Sequence, residues 1–359
     1  MAQFDVAIVG AGPAGSTCAA MCAAAGLKTV LLEREKFPRE KVCGDCLNTS
    51  CWSILERLGL NQRIEQLPHV RLKAVEFIGI SGRRVVVDLP VGQHGELAIK
   101  RSIFDDALLT RAGELGAMVC DNTTVTSFAN HGRWKLETSS GETIVASLLV
   151  GADGRNSSVA RLSNLLPRPA RERIALQSHL PLPPDFGDRV VLQFLRHGYS
   201  GQSPVNENEL NVCLVAKPPD INSLKAWAAE RFGLSPTHSW RTITPLTRSA
   251  ISPIQDNLFL IGDAARVVEP FTGEGIYYAM RSGELAADAI TKVIRGEDRR
   301  STLRAFGHAY AEMYRGRLWI NRLARASVLW PRFGSLLVQA ARIEPSILKL
   351  LTTKIVKPT

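Results

Sequence analysis

"FDVAIVGAGPAGSTCAAMCAAAGLKTVLLER" (residues 4–34) decides the fold. It reads as an apolar strand, a glycine turn, an alanine-rich helix and a second apolar strand that closes on Glu33. Gly10, Gly12 and Gly15 keep the spacing G-x-G-x-x-G. The first glycine permits the turn, the second lets backbone approach a pyrophosphate, and the third lets helix and strand pack closely. Pro13 and Ala14 open the helix, whose first turn offers unpaired N–H groups and a positive dipole end to phosphate charge. Glu33 stands 18 residues after Gly15, where a carboxylate can accept hydrogen bonds from ribose hydroxyls, with Arg34 beside it. The stretch specifies a dinucleotide site and leaves NAD and FAD open.

A chain of 359 residues has room for two lobes around a sizeable core. Hydrophobic residues make up 45% of it and no Gln-, Ser- or Pro-rich tract interrupts them, so it should be globular throughout. It contains no run of about eighteen apolar residues, which argues against a membrane span. The immediate entry into a strand at Phe4 predicts that there is no signal peptide. Seven scattered cysteines fit a reducing cytoplasm better than a disulfide scaffold. Cys18 and Cys22, one turn apart on the alanine-rich helix, read as small buried residues.

The net charge of +10 is concentrated at the end of the chain. After Met313 come nine basic residues (Arg315, Arg317, Arg322, Arg325, Arg332, Arg342, Lys349, Lys354, Lys357) against one acid, Glu344, leaving the remainder close to neutral. No reading motif accompanies this charge, so nucleic acid is not expected as a partner. Trp319, Trp330 and Phe333 interleave with it. Two readings stay open: peripheral contact with an anionic bilayer, or a helical layer whose apolar side covers the core.

Three later segments bear on the cofactor. "LLVGADGRNSSVAR" (148–161) is an apolar strand running into Asp153-Gly154. "NLFLIGDAARVVEPFTGEGIYYAMRSGELAADAI" (257–290) is a strand ending at Gly262-Asp263, a loop with Pro270, Gly273 and Gly275, and a helix. In "IKRSIFDDALLTRAGELGA" (99–117), Arg101 precedes a helix whose Ile103, Phe104, Leu108 and Leu109 recur at helical spacing. In this order, over about residues 4–290, the segments resemble the flavoproteins of the p-hydroxybenzoate hydroxylase fold. The resemblance implies FAD. It places Asp153-Gly154 near the dinucleotide, Asp263 on the ribityl chain, the loop Pro270, Gly273, Glu274, Gly275 and Ile276 at the flavin ring, and Arg101 within reach of the cofactor. A helix N-terminus suits the negative charge of a reduced ring.

"EKFPREKVCGDCL" (35–47) carries Cys43-Gly44-Asp45-Cys46. A zinc site needs a second pair of ligands at matching spacing, which the chain does not offer, so no metal is expected. A redox dithiol of the thioredoxin kind belongs at a helix start in another setting. Lys41, Cys43, Gly44 and Leu47 are similar to a Lys-x-Cys-Gly stretch of the geranylgeranyl reductases, which lies alongside the isoalloxazine. The resemblance therefore makes this segment a flavin-pocket wall, with a Cys43–Cys46 disulfide as the residual reading. Asp45 and Cys46 occupy places where those reductases often carry glycine. "GYSGQSP" (198–204) keeps Gly198, Tyr199 and Pro204 of a second reductase stretch but has Gly201 and Ser203 at its aromatic places. Loss of two rings predicts a cavity short of an aromatic wall and puts polyprenyl specificity in question.

The expected architecture is α/β: a discontinuous Rossmann-like FAD-binding domain (1–68, 99–163, 250–295), a strand-rich substrate lobe (69–98, 164–249) and a basic C-terminal helical segment (296–359) punctuated by Pro331 and Pro345. The cysteine usage predicts a cytoplasmic protein, with membrane association left open by the basic tail. The resemblance implies an enzyme for an apolar small molecule, in which NAD(P)H reduces FAD and flavin N5 passes hydride to an unsaturated carbon. Cys43, Asp45, Cys46 and Tyr199 are the candidate acids for the accompanying proton. The alternatives on the same scaffold are a hydroxylase working through a C4a-hydroperoxide and an electron-transfer flavoprotein at a membrane surface. A halogenase ranks lower, since the Trp-x-Trp-x-Ile-Pro stretch of that group is missing. No G-x-S-x-G elbow or histidine constellation supports a hydrolase.

Overall fold

The structure is a computed structural model that describes residues 2–90, 94–167 and 173–343. Its centre is a parallel sheet in which strand Ala2–Val9 lies between Thr29–Leu32 and Thr143–Gly151, with Met118–Cys120 and Leu258–Leu260 outside them. Val6 to Val9 and Val30 to Leu32 are buried on both faces, which is why they read as continuous apolar runs rather than alternating ones. The first half of Thr143–Gly151 also pairs with an antiparallel ribbon, Val125–Asn130 and Trp134–Thr138.

Helix Pro13–Ala24 starts on the proline that its first turn favours and packs along helix Gly275–Ile294. A Cβ on Gly283 would fall 2.4 Å from the Ala14 carbonyl oxygen, so only glycine lets the two helices touch there. Cys18 and Cys22 are fully buried in this core, as their spacing predicts.

The second lobe is a seven-stranded sheet in the order Arg241–Ile243, Ile174–Pro181, Glu209–Ala216, Gly198–Pro204, Arg189–Leu195, Ala74–Ile78, Arg84–Asp88. Helix Ile221–Phe232 backs one face of it, through Leu224 and Ala228. Helices Leu318–Leu329 and Pro331–Ile343 cover the other, where Val328, Val338 and Ala341 join Phe77, Phe194 and Tyr199 in one apolar cluster. A Cβ on Gly334 would lie 2.4 Å from the Phe194 ring, and the Ser335 hydroxyl accepts the Ile80 N–H at 3.0 Å. The basic segment therefore forms a helical layer over the sheet, with Pro331 starting its last described helix. Pro345 and the charges from Glu344 onward lie outside the described residues.

One ion pair locks the lobes together. Arg173, at the head of strand Ile174–Pro181, donates two hydrogen bonds (3.0 and 2.7 Å) to Glu269 in the loop before the long helix. Both side chains are 2% exposed, and the Glu269 N–H is taken up by Asn321 of the C-terminal layer at 3.1 Å. Removing one member of such a pair leaves a buried charge without its counterion. Arg173→Met should lower the unfolding free energy in urea by about 3–5 kcal/mol, and the double variant Arg173→Met/Glu269→Leu should recover most of the loss. Equal stability of Arg173→Met and the unsubstituted protein would show that the pair does not hold the lobes.

Candidate functional site: a dinucleotide cleft opening into an apolar cavity

One cavity of about 690 Å³ runs from the glycine turn, between the lobes, to the underside of the C-terminal helices. At its first end the turn is fixed by contacts that exclude any larger residue. A Cβ on Gly10 would meet the Ala152 carbonyl oxygen at 2.6 Å, and one on Gly15 would meet the Gly10 carbonyl oxygen at 1.8 Å. Gly12, Pro13 and Ala14 face the cavity at a helix start that has no side-chain cap and no acid in its first turn. Glu33 accepts the Ala11 N–H at 2.8 Å with one oxygen and the Glu35 N–H at 3.0 Å with the other. Each oxygen keeps acceptor capacity for a ribose. Arg34 lines the same rim.

Farther in, Asp153 caps the short helix Ser158–Leu162 by accepting the Ser158 and Val159 N–H groups at 2.6 and 3.0 Å with Oδ2. Its other oxygen is buried without a partner, which fits a group donating to it from the cleft. Burial pushes the Asp153 carboxyl up. Asp263 pairs with Arg155 at 3.1 Å and lines the cavity. Lys41, Arg39 and Arg101 line it too. Burial, then the charges of Arg155 and Arg101, pull the Lys41 amine down to about 8. Such a crowd of cations is what a diphosphate would relieve. The loop Pro270–Thr272, Gly273 and Gly275 closes this part. A Cβ at Gly273 or Gly275 would meet nothing within 4 Å, so the loop lays open backbone along the cavity beside Ile276. These features fit FAD: N–H groups for the phosphates, acceptors for ribose and ribityl hydroxyls, and a glycine shelf for a planar ring.

The segment Cys43–Cys46 forms the wall between the two ends. The substrate lobe holds it by its carbonyls. Asn211 donates to the Cys43 carbonyl at 2.8 Å, the Cys213 thiol to the same oxygen at 3.3 Å, and the Ser203 hydroxyl to the Gly44 carbonyl at 3.0 Å. All cysteines are free, so Cys43 and Cys46 form no disulfide here. Burial, with the charge of Glu96 next, raises the Cys46 thiol far above the ordinary thiol range. Arg101 opens helix Arg101–Glu114 and is buried rather than exposed. Its guanidinium is gripped by Asp105 at 2.7 and 2.8 Å.

The structure parts company with the sequence reading at several residues. Asp45 does not line the cavity. It sits at φ 57°, which turns its carboxylate into the substrate lobe, where His179 Nε2 meets it at 2.8 Å. A fully buried acid on that side cannot deliver a proton into the cavity, so Asp45 is withdrawn as a catalytic candidate. Glu274 is likewise turned away, into an ion pair with Arg317 and a hydrogen bond from Tyr278. Gly15 and Gly262 act through packing and do not line the cavity, whereas Gly154, at φ 84°, turns the chain along it. Nor is the aromatic wall missing. Phe271, from the glycine loop, packs edge-on to Tyr199 at 5.2 Å between ring centres and lies 5.7 Å from Phe194. Ser203, in place of a ring, supplies the hydrogen bond that holds the Cys43–Cys46 segment. Among the described residues, no group of acids, cysteines and histidines could hold a metal ion. No described helix is long and apolar enough to cross a membrane.

Fold and cleft together define a flavoprotein with an inserted strand-rich lobe. The chain matches the FAD binding domain family over residues 3–180 and 221–315, and it belongs to that family. It is 29% identical to the menaquinone reductase of Mycolicibacterium smegmatis, over 80% of this chain and 76% of that one. It is 26% identical to digeranylgeranylglycerophospholipid reductase 1 of Methanopyrus kandleri, over 82% of each. It is 29% identical to conditioned medium factor receptor 1 of Dictyostelium discoideum over 82% of this chain, but spans only 64% of that protein's length. The solved structure of the flavin-dependent brominase Bmp2 superposes with a TM-score of 0.79 at 23% identity, over 99% of this chain and 94% of the other, a likeness of fold. The protein is an FAD-dependent oxidoreductase.

Asp263 is 29% exposed in its side chain and pairs with one arginine, so its loss should spare the fold. Asp263→Ala should carry several-fold less flavin per chain than the unsubstituted protein, read from the ratio of visible to ultraviolet absorbance, with unchanged circular dichroism. Full flavin occupancy in that variant would displace the cofactor from this cleft.

Proposed function

We propose that the protein reduces an unsaturated, predominantly apolar small molecule, with a nicotinamide nucleotide as the transient source of electrons. The observation that carries this reading is the continuity of the cavity, which leads from the dinucleotide turn directly into walls built by Val75, Phe77, Leu192, Phe194, Leu246 and Val338. Those walls would bind by burying apolar surface and keep water from the reacting centre. Bound FAD supplies hydride-transfer chemistry at its ring. Lys41 and its neighbouring arginines would neutralise the cofactor's phosphates, and the segment Cys43–Cys46 would set the distance between cofactor and substrate. Cys46 and Tyr199 both line the cavity, and burial holds both in the protonated form. The likeness to two reductases supports the reading, as does the Lys41-x-Cys43-Gly44 match.

The test is to reduce the purified yellow protein without oxygen and then mix it rapidly with oxygenated buffer, with and without apolar ligands, while recording absorbance. A slow, direct return to the oxidised spectrum is expected. A transient band ahead of that spectrum would replace the reductase with an oxygen-using hydroxylase or halogenase.

The reading extends to where such a substrate is met. Trp330 and Leu336 are 68% and 60% exposed beside Arg332, a combination suited to shallow contact with an anionic bilayer. Trp330→Ser/Leu336→Ser should weaken co-sedimentation with phosphatidylglycerol vesicles several-fold. Unchanged sedimentation would remove the bilayer as a partner of this face.

A further inference from the structure

Glu96 was not singled out by any motif, yet it is among the residues that line the cavity, and the Cys46 it faces packs against the apolar cluster of Leu72, Leu89, Val75 and Val190. Its backbone is held on both sides. The Gly95 carbonyl accepts the Trp52 indole N–H at 2.9 Å, and the Glu96 carbonyl accepts the Leu72 N–H at 2.9 Å. Leu97 and Ala98, which follow, pair with Leu47 and Cys46 on one side and with Arg71 and Val70 on the other. Glu96 therefore sits immediately before a strand of a small three-stranded sheet, with its backbone tied to Leu72. Among the described residues no hydrogen bond or ion pair engages its carboxyl.

The titratable groups that face Glu96 are the Cys46 thiol, from the neighbouring strand, and the Cys51 thiol, from the turn Thr49–Cys51; burial and the Glu96 charge hold both protonated. Burial alone pushes the Glu96 acid up to about 7, with no cation to oppose it. Neighbouring donors are largely committed, with one N–H of the Gln202 amide left over. Ser203 and Cys46 both donate to the Gly44 carbonyl, Cys213 to the Cys43 carbonyl, and Gln202 to Ser200. A protonated carboxyl in apolar surroundings keeps an O–H for a ligand and seeks an oxygen to receive it.

We propose that Glu96 is a substrate-binding residue whose carboxyl, set in the apolar part of the cavity without a protein partner, donates a hydrogen bond to an uncharged carbonyl oxygen, of a ketone or quinone, on an otherwise apolar substrate. The inference rests on the apolar-substrate reading above and narrows it: the ligand is a hydrocarbon that carries an uncharged carbonyl, not a carboxylate, which the same acid would repel once ionised.

The experiment titrates 2-nonanone into the flavin-loaded protein by calorimetry at pH 6 and pH 8, with Glu96→Gln and Glu96→Leu alongside. For the unsubstituted protein, affinity should fall about tenfold between the two pH values, as the acid ionises through about 7. Glu96→Gln, which donates at any pH, should bind equally at both. Glu96→Leu should bind about five- to tenfold more weakly at pH 6 and show no pH dependence. The same affinity in all three proteins, a pH dependence that survives in Glu96→Gln, or no measurable ketone binding at pH 6 would each overturn the proposal. Flavin content is read separately in each sample. Its loss from the unsubstituted protein would count against the cofactor site, whereas full flavin with flat ketone binding would count against Glu96 alone.

Discussion

The cavity exists because strand residues of one lobe hold the backbone of a segment belonging to the other. Ser203, Asn211 and Cys213 donate to the carbonyls of Cys43 and Gly44, so the segment is shaped by bonds to its main chain. A buried carbonyl left without a donor would be costly, and three donors in register remove that cost. Arg173 and Glu269 perform the matching task from the opposite direction, tying the substrate sheet to the glycine loop. Between these two ties the cofactor end and the apolar end share one enclosed volume. Neither lobe would define it alone.

How much of this could be read from residues alone depends on whether the constraint was local. The glycine turn was legible, since a backbone that passes within van der Waals reach of itself admits one residue type at Gly10 and Gly15. The α/β class followed from that turn, and the choice of FAD from the order of the later segments. The buried cysteines of the first helix and the helix break at Pro331 were equally local. Asp45 was misjudged because a sequence does not disclose which way a left-handed residue points its side chain. The aromatic wall was misjudged because Phe271 reaches it from the cofactor loop, a contact made only in the folded chain. Glu96 and the Arg173–Glu269 pair carry no spacing signal. What distinguishes them is their place between the assembled lobes, Glu96 on the cavity lining and the pair buried beside it.

The division of labour also bears on chemistry. Features that serve the nucleotide are backbone features: N–H groups at a helix start, close glycine contacts and an open glycine shelf. Features that line the apolar end are side chains on a sheet, which can be exchanged singly while the ladder holds. That asymmetry accounts for a frame that reductases use and whose fold a brominase shares. It also lets Ser203 line the cavity and tie down the Gly44 carbonyl at once, without disturbing the cofactor cleft.

The C-terminal helices bring a consequence in time rather than in space. Ile320, Leu323, Ala324, Ser327, Gly334, Leu337 and Val338 all face the cavity, and every other residue that faces it precedes them in the chain by about forty positions or more. A ribosome therefore makes the floor, the shelf and both side walls before it makes the roof.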